Sequence, residues 1–246
     1  MYPLAVEGGF NVRDLGNYPT QDGKVLLSRR LIRSGNLADV TPSAQQYLID
    51  YGVKTIIDLR DEWEVERFPN PFAQSGAVRY LNLPLIGNAM SQADNPIWKV
   101  EAKNYTVLHE LYAKYLDRCQ NQIRTIVTTV AESTFAILFH CFAGKDRTGI
   151  ITALLLSAMG VQDGIIAEDY ALTSSQITHL VALWRDDALQ SGEDMQDFER
   201  DMGSDAATML GMLGYLRQQY GGAVNYLYRC GVSEGQLERL RTQCIQ

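Results

Sequence analysis

The segment that most constrains the fold runs from Phe135 to Met159. An apolar stretch, Phe135 to Phe139, meets the run His140-Cys141-Phe142-Ala143-Gly144-Lys145-Asp146-Arg147-Thr148-Gly149, and a second apolar stretch, Ile150 to Met159, follows. This pattern predicts a buried strand, a tight loop and a buried helix, in that order. Such a loop directs backbone N–H groups inward, and with the helix N-terminus they form a cradle for an anion of phosphate size. Cys141 would lie under those amides beside Arg147, conditions that favour a thiolate at neutral pH. A thiolate is a nucleophile that needs no separate base. Arg147 can bind two oxygens of the anion through its planar fork. Thr148 can donate a hydroxyl to the sulfur as it leaves, and His140 is expected to order the loop rather than carry protons.

Cys-x5-Arg alone is a weak signal, but the full ten-residue loop between strand and helix is a strong one. A Walker-type nucleotide loop is excluded, because Gly144-Lys145 is followed by Asp146 and not by Ser or Thr. His140-Cys141-x5-Arg147-Thr148-Gly149 resembles the signature loop of cysteine-dependent protein tyrosine phosphatases. Ala143 to Gly149 resembles their bacterial atypical branch, of mycobacterial and listerial type. Asn11-Val12-Arg13-Asp14-Leu15-Gly16-Asn17 is similar to that branch's Asn-Phe-Arg-Asp-Leu-Gly-Gly, and Asp58-Leu59-Arg60 to its Asp-Leu-Arg strand end. Val12 and Asn17 depart from the pattern, the latter mildly, since Asn tolerates a left-handed backbone.

The resemblance implies an α/β three-layer fold with a mostly parallel central sheet flanked by helices. It implies hydrolysis of phosphotyrosine, in some members also phosphoserine, phosphothreonine or phosphoinositides, through a phosphocysteine, with no metal and no cofactor. Cys141 would attack, and Arg147 with Phe142, Ala143, Gly144 and Lys145 would hold the phosphoryl group. Arg13 and Asp14 would brace the loop.

The proton donor is open between two carboxylates. Better-known tyrosine phosphatases place it on a mobile loop upstream of the cysteine, but apolar residues from Val107 to Val130 predict one long amphipathic helix over Asn104 to Glu132. Asp94, in the preceding loop, is the upstream candidate. Asp146, inside the cradle, is favoured, because the atypical branch is thought to use that position, and the same carboxylate could activate water in the second step. A carboxylate in the first turn of a helix is also stabilised by the dipole whatever its catalytic role.

Asp58 is predicted at the carboxyl end of a central strand, where open α/β sheets bind ligands, and is expected to pair with Lys145. Lys145 would suit a second phosphate, which makes phosphoinositides the alternative to phosphotyrosine. Thr41-Pro42 predicts a helix start with Thr41 as cap, Asp163 and Ser233 suggest further caps, and Asp61 to Arg67 reads as a short surface helix. Ser174 to Gly203 reads either as a helical lid over the site or as a plain surface pair. His179, beside that patch, is expected to be structural.

With no repeat, low-complexity stretch or linker, residues 1–246 are expected to form one domain. The net charge of -7 argues against nucleic acid and anionic membranes as partners, and no apolar run is long enough to span a membrane. Four cysteines without Cys-x2-Cys spacing suggest a reducing compartment, so a cytoplasmic place is the default, with an unusual export route left open. A catalytically silent phosphate-binding module is the alternative of another class, although a pure binder has no need of the nucleophile. A sulfur transferase would not require Asp146.

Overall fold

The computed structural model describes residues 2–87 and 105–246. Among the described residues, six strands form one sheet in the order β1-β2-β3-β6-β4-β5: β1 Tyr2–Pro3, β2 Arg13–Asp14, β3 Leu31–Ser34, β4 Thr55–Asp58, β5 Arg79–Asn82 and β6 Ile137–His140. β3, β6, β4 and β5 run parallel, and β1 and β2 add an antiparallel edge. Every residue of β3, β4 and β6 is buried, the mark of strands covered on both faces.

Side chains alternate between the faces, so each strand feeds two cores. Ile32, Ile56 and Leu138 pack with Leu48, Val53 and Phe72 on one side. Leu31, Ile57, Ile137 and Phe139 pack with Ile150, Leu154 and Tyr112 on the other. The first face is covered by α1 (Pro42–Tyr51), followed later in the chain by α2 (Glu62–Arg67). The second face is covered mainly by α3 (Leu108–Arg118), α4 (Gln120–Glu132), α5 (Asp146–Ala158), α6 (Asp163–Ala171), α10 (Ala206–Tyr220), α11 (Ala223–Cys230) and α12 (Glu234–Cys244). Between them in sequence lie α7 (Thr173–Gln176), α8 (Thr178–Ser191) and α9 (Met195–Met202). The result is the three-layer α/β arrangement. No helix among the described residues is long and apolar enough to cross a membrane.

Two of the three caps expected from the sequence are made. Thr41 caps α1 with Pro42 in its first turn, and Ser233 with Gln236 forms a capping box on α12. Asp163 is not a cap: Gln162 holds that position, and Asp163 pairs with Arg217 from α10 instead. The single helix expected over residues 104–132 is two helices broken at Cys119. A straight helix of that length would run about 40 Å. The break lets Leu108, Tyr112 and Leu116 as well as Ile123, Ile126, Val127 and Val130 all reach the core. Amphipathic periodicity carries across such a joint and does not reveal it.

Candidate active site

In register, Ser34 and Asp58 both lie opposite His140, so the carboxyl ends of β3, β6 and β4 are level and the chain turns into the loop there. Three loop carbonyls are tied outward. Asn36 N–H donates to Phe142 O at 2.7 Å, and Asn11 Nδ2 donates to Ala143 O and Gly144 O at 3.1 and 3.0 Å. Arg33 Nη2 also donates to Gly144 O, at 2.7 Å. In a trans peptide the N–H points opposite to the carbonyl. The amides of Ala143, Gly144 and Lys145 therefore face the other way, into the space the loop encloses. Gly144 has φ +68, and a Cβ there would sit 2.4 Å from Ser34 O, so only glycine lets the loop lie this close to β3.

The tethers are themselves held. Asp169 on α6 accepts from Arg13 Nε at 2.9 Å, Arg33 Nη1 at 2.6 Å and Tyr18 Oη at 2.8 Å. Burial alone would raise its carboxyl, but the two guanidiniums override this and hold it at about 2. Burial and the nearby Arg13 pull Arg33 down to about 10. Arg13 also donates to Asn11 Oδ1 and so aims the amide of Asn11 at the loop. Arg13 thus acts on the loop through Asn11. Asp14 does not reach it, binding Gly16 N–H, Arg29 N–H and Tyr51 Oη instead.

Asp58 and Lys145 do not pair. Asp58 is fully buried and is claimed by Arg60 at 2.6 Å and by Tyr80 Oη at 2.8 Å. Burial pushes its carboxyl up, yet the charges and donors around it hold it below the usual range. Arg60 reaches on to Asn36 Oδ1 at 2.9 Å, so Asp58-Leu59-Arg60 positions the residue whose amide holds Phe142. Lys145, 2% exposed, donates to the carbonyls of Asp201 and Gly203 at the end of α9 and lies 3.3 Å from Asp146. The helix end outcompetes Asp58 because it offers unpaired carbonyls beside the loop.

His140 is fixed as a neutral ring. Asn70 Nδ2 donates to Nε2 at 3.0 Å, which leaves Nδ1–H to donate to Cys141 O at 3.0 Å, a tautomer assigned from these partners. Burial lowers its basicity further. The ring thus ties the start of the loop to Asn70.

Cys141 closes the floor at 2% exposure. Arg147, in the first turn of α5, forms a two-pronged pair with Glu64, Nη1–Oε2 at 2.5 Å and Nη2–Oε1 at 2.8 Å. Burial would weaken its hold on its proton, but Glu64, with Cys141, reverses this and raises it. A guanidinium has five N–H donors, so three remain for an anion. The helix read as a surface element is therefore half-functional: Glu64 is 4% exposed and fixes the arginine. Its only local signal was a capping box with Asp61, which says nothing of Arg147. Glu64→Ala is expected to raise KM for a phosphomonoester and to lower kcat/KM about ten-fold, about 1.4 kcal/mol, because the freed arginine must be ordered by the substrate itself. Steady-state kinetics checks it; an unchanged KM would show that Arg147 needs no such partner.

Thr148 Oγ1 is buried with no hydrogen-bond partner among the described residues, so the fold makes no use of it. Asp146 lies at the rim and borders a cavity of about 330 Å3 with Arg147, Trp63, Tyr105, Tyr115, Asp61 and Asp201. Asp94, the other candidate acid, lies outside the described residues. The α8–α9 pair rests on the loop through Trp184, 6.0 Å from the Phe142 ring, and through the Lys145 bonds to α9. His179 packs edge-on against Phe10 at 5.5 Å, a structural contact.

A buried cysteine on the floor of an amide-lined loop, with a braced arginine at its rim, is an arrangement built to take up a phosphoryl group. The chain belongs to the tyrosine phosphatase family, whose sequence model matches residues 4–246. A tyrosine-protein phosphatase of Nostoc commune is 31% identical, over 87% of this chain and 74% of its own. The triple specificity protein phosphatase PtpB of Mycobacterium tuberculosis is 25% identical, over 95% of this chain and 96% of its own. The crystal structure of P. aeruginosa TpbA in complex with pTyr aligns over 85% of this chain and 91% of that one at 14% identity, with a TM-score of 0.39.

Proposed function

We propose that this protein hydrolyses phosphotyrosine through a phosphocysteine, without a metal. The observation that carries the proposal is the loop: the carbonyls of Phe142, Ala143 and Gly144 are all tied outward, so the amides of the same peptides face into the loop that begins at Cys141. Cys141 attacks phosphorus. The amides and Arg147 hold the equatorial oxygens as charge develops, in a site where donors need no reorganisation. Asp146 protonates the leaving oxygen. Thr148, with a hydroxyl the fold leaves unused, donates to the sulfur when water displaces it.

The walls of the cavity favour an aryl leaving group. Trp63 and Tyr115 line it with aromatic rings, which suit a tyrosine side chain. A phosphoinositide would bring a second phosphate toward Asp61, Asp146 and Asp201, while Lys145 is engaged by α9. This favours phosphotyrosine over the phosphoinositide alternative. The intact Cys141, Arg147 and Thr148 argue against a silent binding module.

The test is steady-state hydrolysis of a phosphotyrosine peptide and a panel of phosphoinositides in the presence of EDTA. Turnover of the peptide with kcat/KM at least ten-fold above any phosphoinositide is expected. A reversed preference would restore Lys145 as a second-phosphate ligand. Loss of all turnover in EDTA would remove the metal-free mechanism.

A further inference from the structure

Asp146 is gripped from behind. Tyr112, fully buried on α3, donates its hydroxyl to Asp146 Oδ1 at 2.6 Å, and its oxygen lies 2.6 Å from the hydroxyl of Tyr170 on α6. Each hydroxyl carries one proton, and the carboxylate at the end can only accept. The direction is therefore fixed as Tyr170 to Tyr112 to Asp146. The two rings meet edge to face at 6.2 Å. Gly149, the last residue of the signature loop, makes room for this arrangement, since a Cβ there would sit 3.0 Å from the Tyr170 ring.

We infer that Tyr112 is a positioning residue for proton transfer: it holds Asp146 by Oδ1, so that Oδ2, which has no other partner among the described residues, exchanges the proton with the reacting oxygens. The inference rests on Asp146 being the general acid proposed above. In the first step the S–P bond forms and the bond from phosphorus to the leaving oxygen breaks, and that oxygen takes the proton from Oδ2. In the second step the water oxygen bonds to phosphorus as the S–P bond breaks. The electron pair returns to sulfur, the water proton goes to Oδ2, and phosphate is released. Throughout, the Tyr112 hydroxyl stays on Oδ1 and compensates the negative charge that the carboxylate gains in the first step and loses in the second.

A phenylalanine would fill the same space as Tyr112, so packing does not call for the hydroxyl. Two buried hydroxyls in series on one carboxylate are costly unless all are bonded, and here they are. The other charged groups that face Asp146 are Lys145 at 3.3 Å, its neighbour Arg147, and Asp61, Glu64 and Asp201 around the cavity. Tyr115 faces it from α3, and Arg33 and Asp205 act on Tyr170 from behind. Lys145 Nζ approaches the same Oδ1 as an ion pair at 3.3 Å, and Tyr112 donates to it the shorter bond at 2.6 Å, so Phe at 112 removes one identifiable donor and leaves the cation in place.

The experiment compares wild type, Tyr112→Phe, Tyr170→Phe and Asp146→Asn on phenyl phosphate, whose leaving group needs a proton, and on p-nitrophenyl phosphate, whose leaving group does not. Tyr112→Phe is expected to lower kcat/KM about ten-fold on phenyl phosphate and less than about two-fold on p-nitrophenyl phosphate. The alkaline limb of its kcat/KM profile should move up by about one pH unit, because a carboxylate that has lost a donor holds its proton more tightly. Tyr170→Phe should do the same to a smaller degree, and it gives the readout if Tyr112→Phe does not fold. Asp146→Asn should show the largest difference between the two esters and a flat alkaline limb. If Asp146→Asn affects both esters alike, the acid assignment falls and this inference with it. If Asp146→Asn behaves as expected but both tyrosine variants slow the two esters equally with the limb unmoved, the hydroxyls are structural and only this inference falls.

Discussion

Cys141→Ser is expected to abolish hydrolysis of a phosphotyrosine peptide, lowering kcat/KM by at least about 10,000-fold, while binding of the same peptide survives. The substitution exchanges sulfur for oxygen in a floor that is only 2% exposed and disturbs little else. A serine hydroxyl in this place has no base to take its proton, because His140 is committed to Asn70 and to Cys141 O. The amides of Ala143 to Lys145 and the arginine pinned by Glu64, the phosphate contacts proposed above, are untouched. Kinetics beside calorimetry of the peptide on the serine variant separates the two effects. Turnover surviving in Cys141→Ser would rule out a phosphocysteine. Binding lost with turnover would mean that the thiolate, and not the cradle, holds the substrate.

Asp169→Ala is expected to have the largest effect on stability, about 3–5 kcal/mol. It strips the carboxylate from between Arg13 and Arg33, at 2.9 and 2.6 Å, and leaves two buried like charges facing each other. For a chain of this size that corresponds to a melting temperature lower by about 10 °C. The pH dependence has a definite sign. The folded carboxyl is held at about 2, below its ordinary value of 3.8, so its contribution is present above 3.8 and lost as pH falls through 2. The window is therefore pH 4 to 2, and the contribution is about 2 kcal/mol. Thermal melts of wild type and Asp169→Ala across that window check it. Curves that stay parallel down to pH 2 would show that the carboxylate is not the group being titrated.

The sequence was most legible where chemistry is local. The segment from His140 to Gly149, its flanking strand and helix, and the caps at Thr41 and Ser233 could be read because the residues that cooperate are neighbours in the chain. The roles of Asn11, Arg33, Glu64 and Asp169 could not be read this way. Each meets its partner across 83 to 156 residues of sequence, as Glu64 meets Arg147 and Arg13 meets Asp169. Nothing in the composition around Glu64 separates a buried clamp from a surface charge. Asp58 and Lys145 fail as a pair for a related reason: both stand near the strand ends, but each has a better partner that only the fold brings close. Tyr112 was visible as part of an apolar helical face, and its hydroxyl, the part that matters for Asp146, leaves no trace in that periodicity.

The anchorage of the loop at Asp169 also orders events during synthesis. A ribosome releases the entire signature, Cys141 through Gly149, about twenty residues before it releases Asp169, and Arg13 and Arg33 have no counter-charge until α6 emerges. A nascent or truncated chain that stops short of α6 therefore carries the residues of the loop without the carboxylate that pairs Arg13 and Arg33. The reactive loop is therefore made before the carboxylate that anchors its tethers.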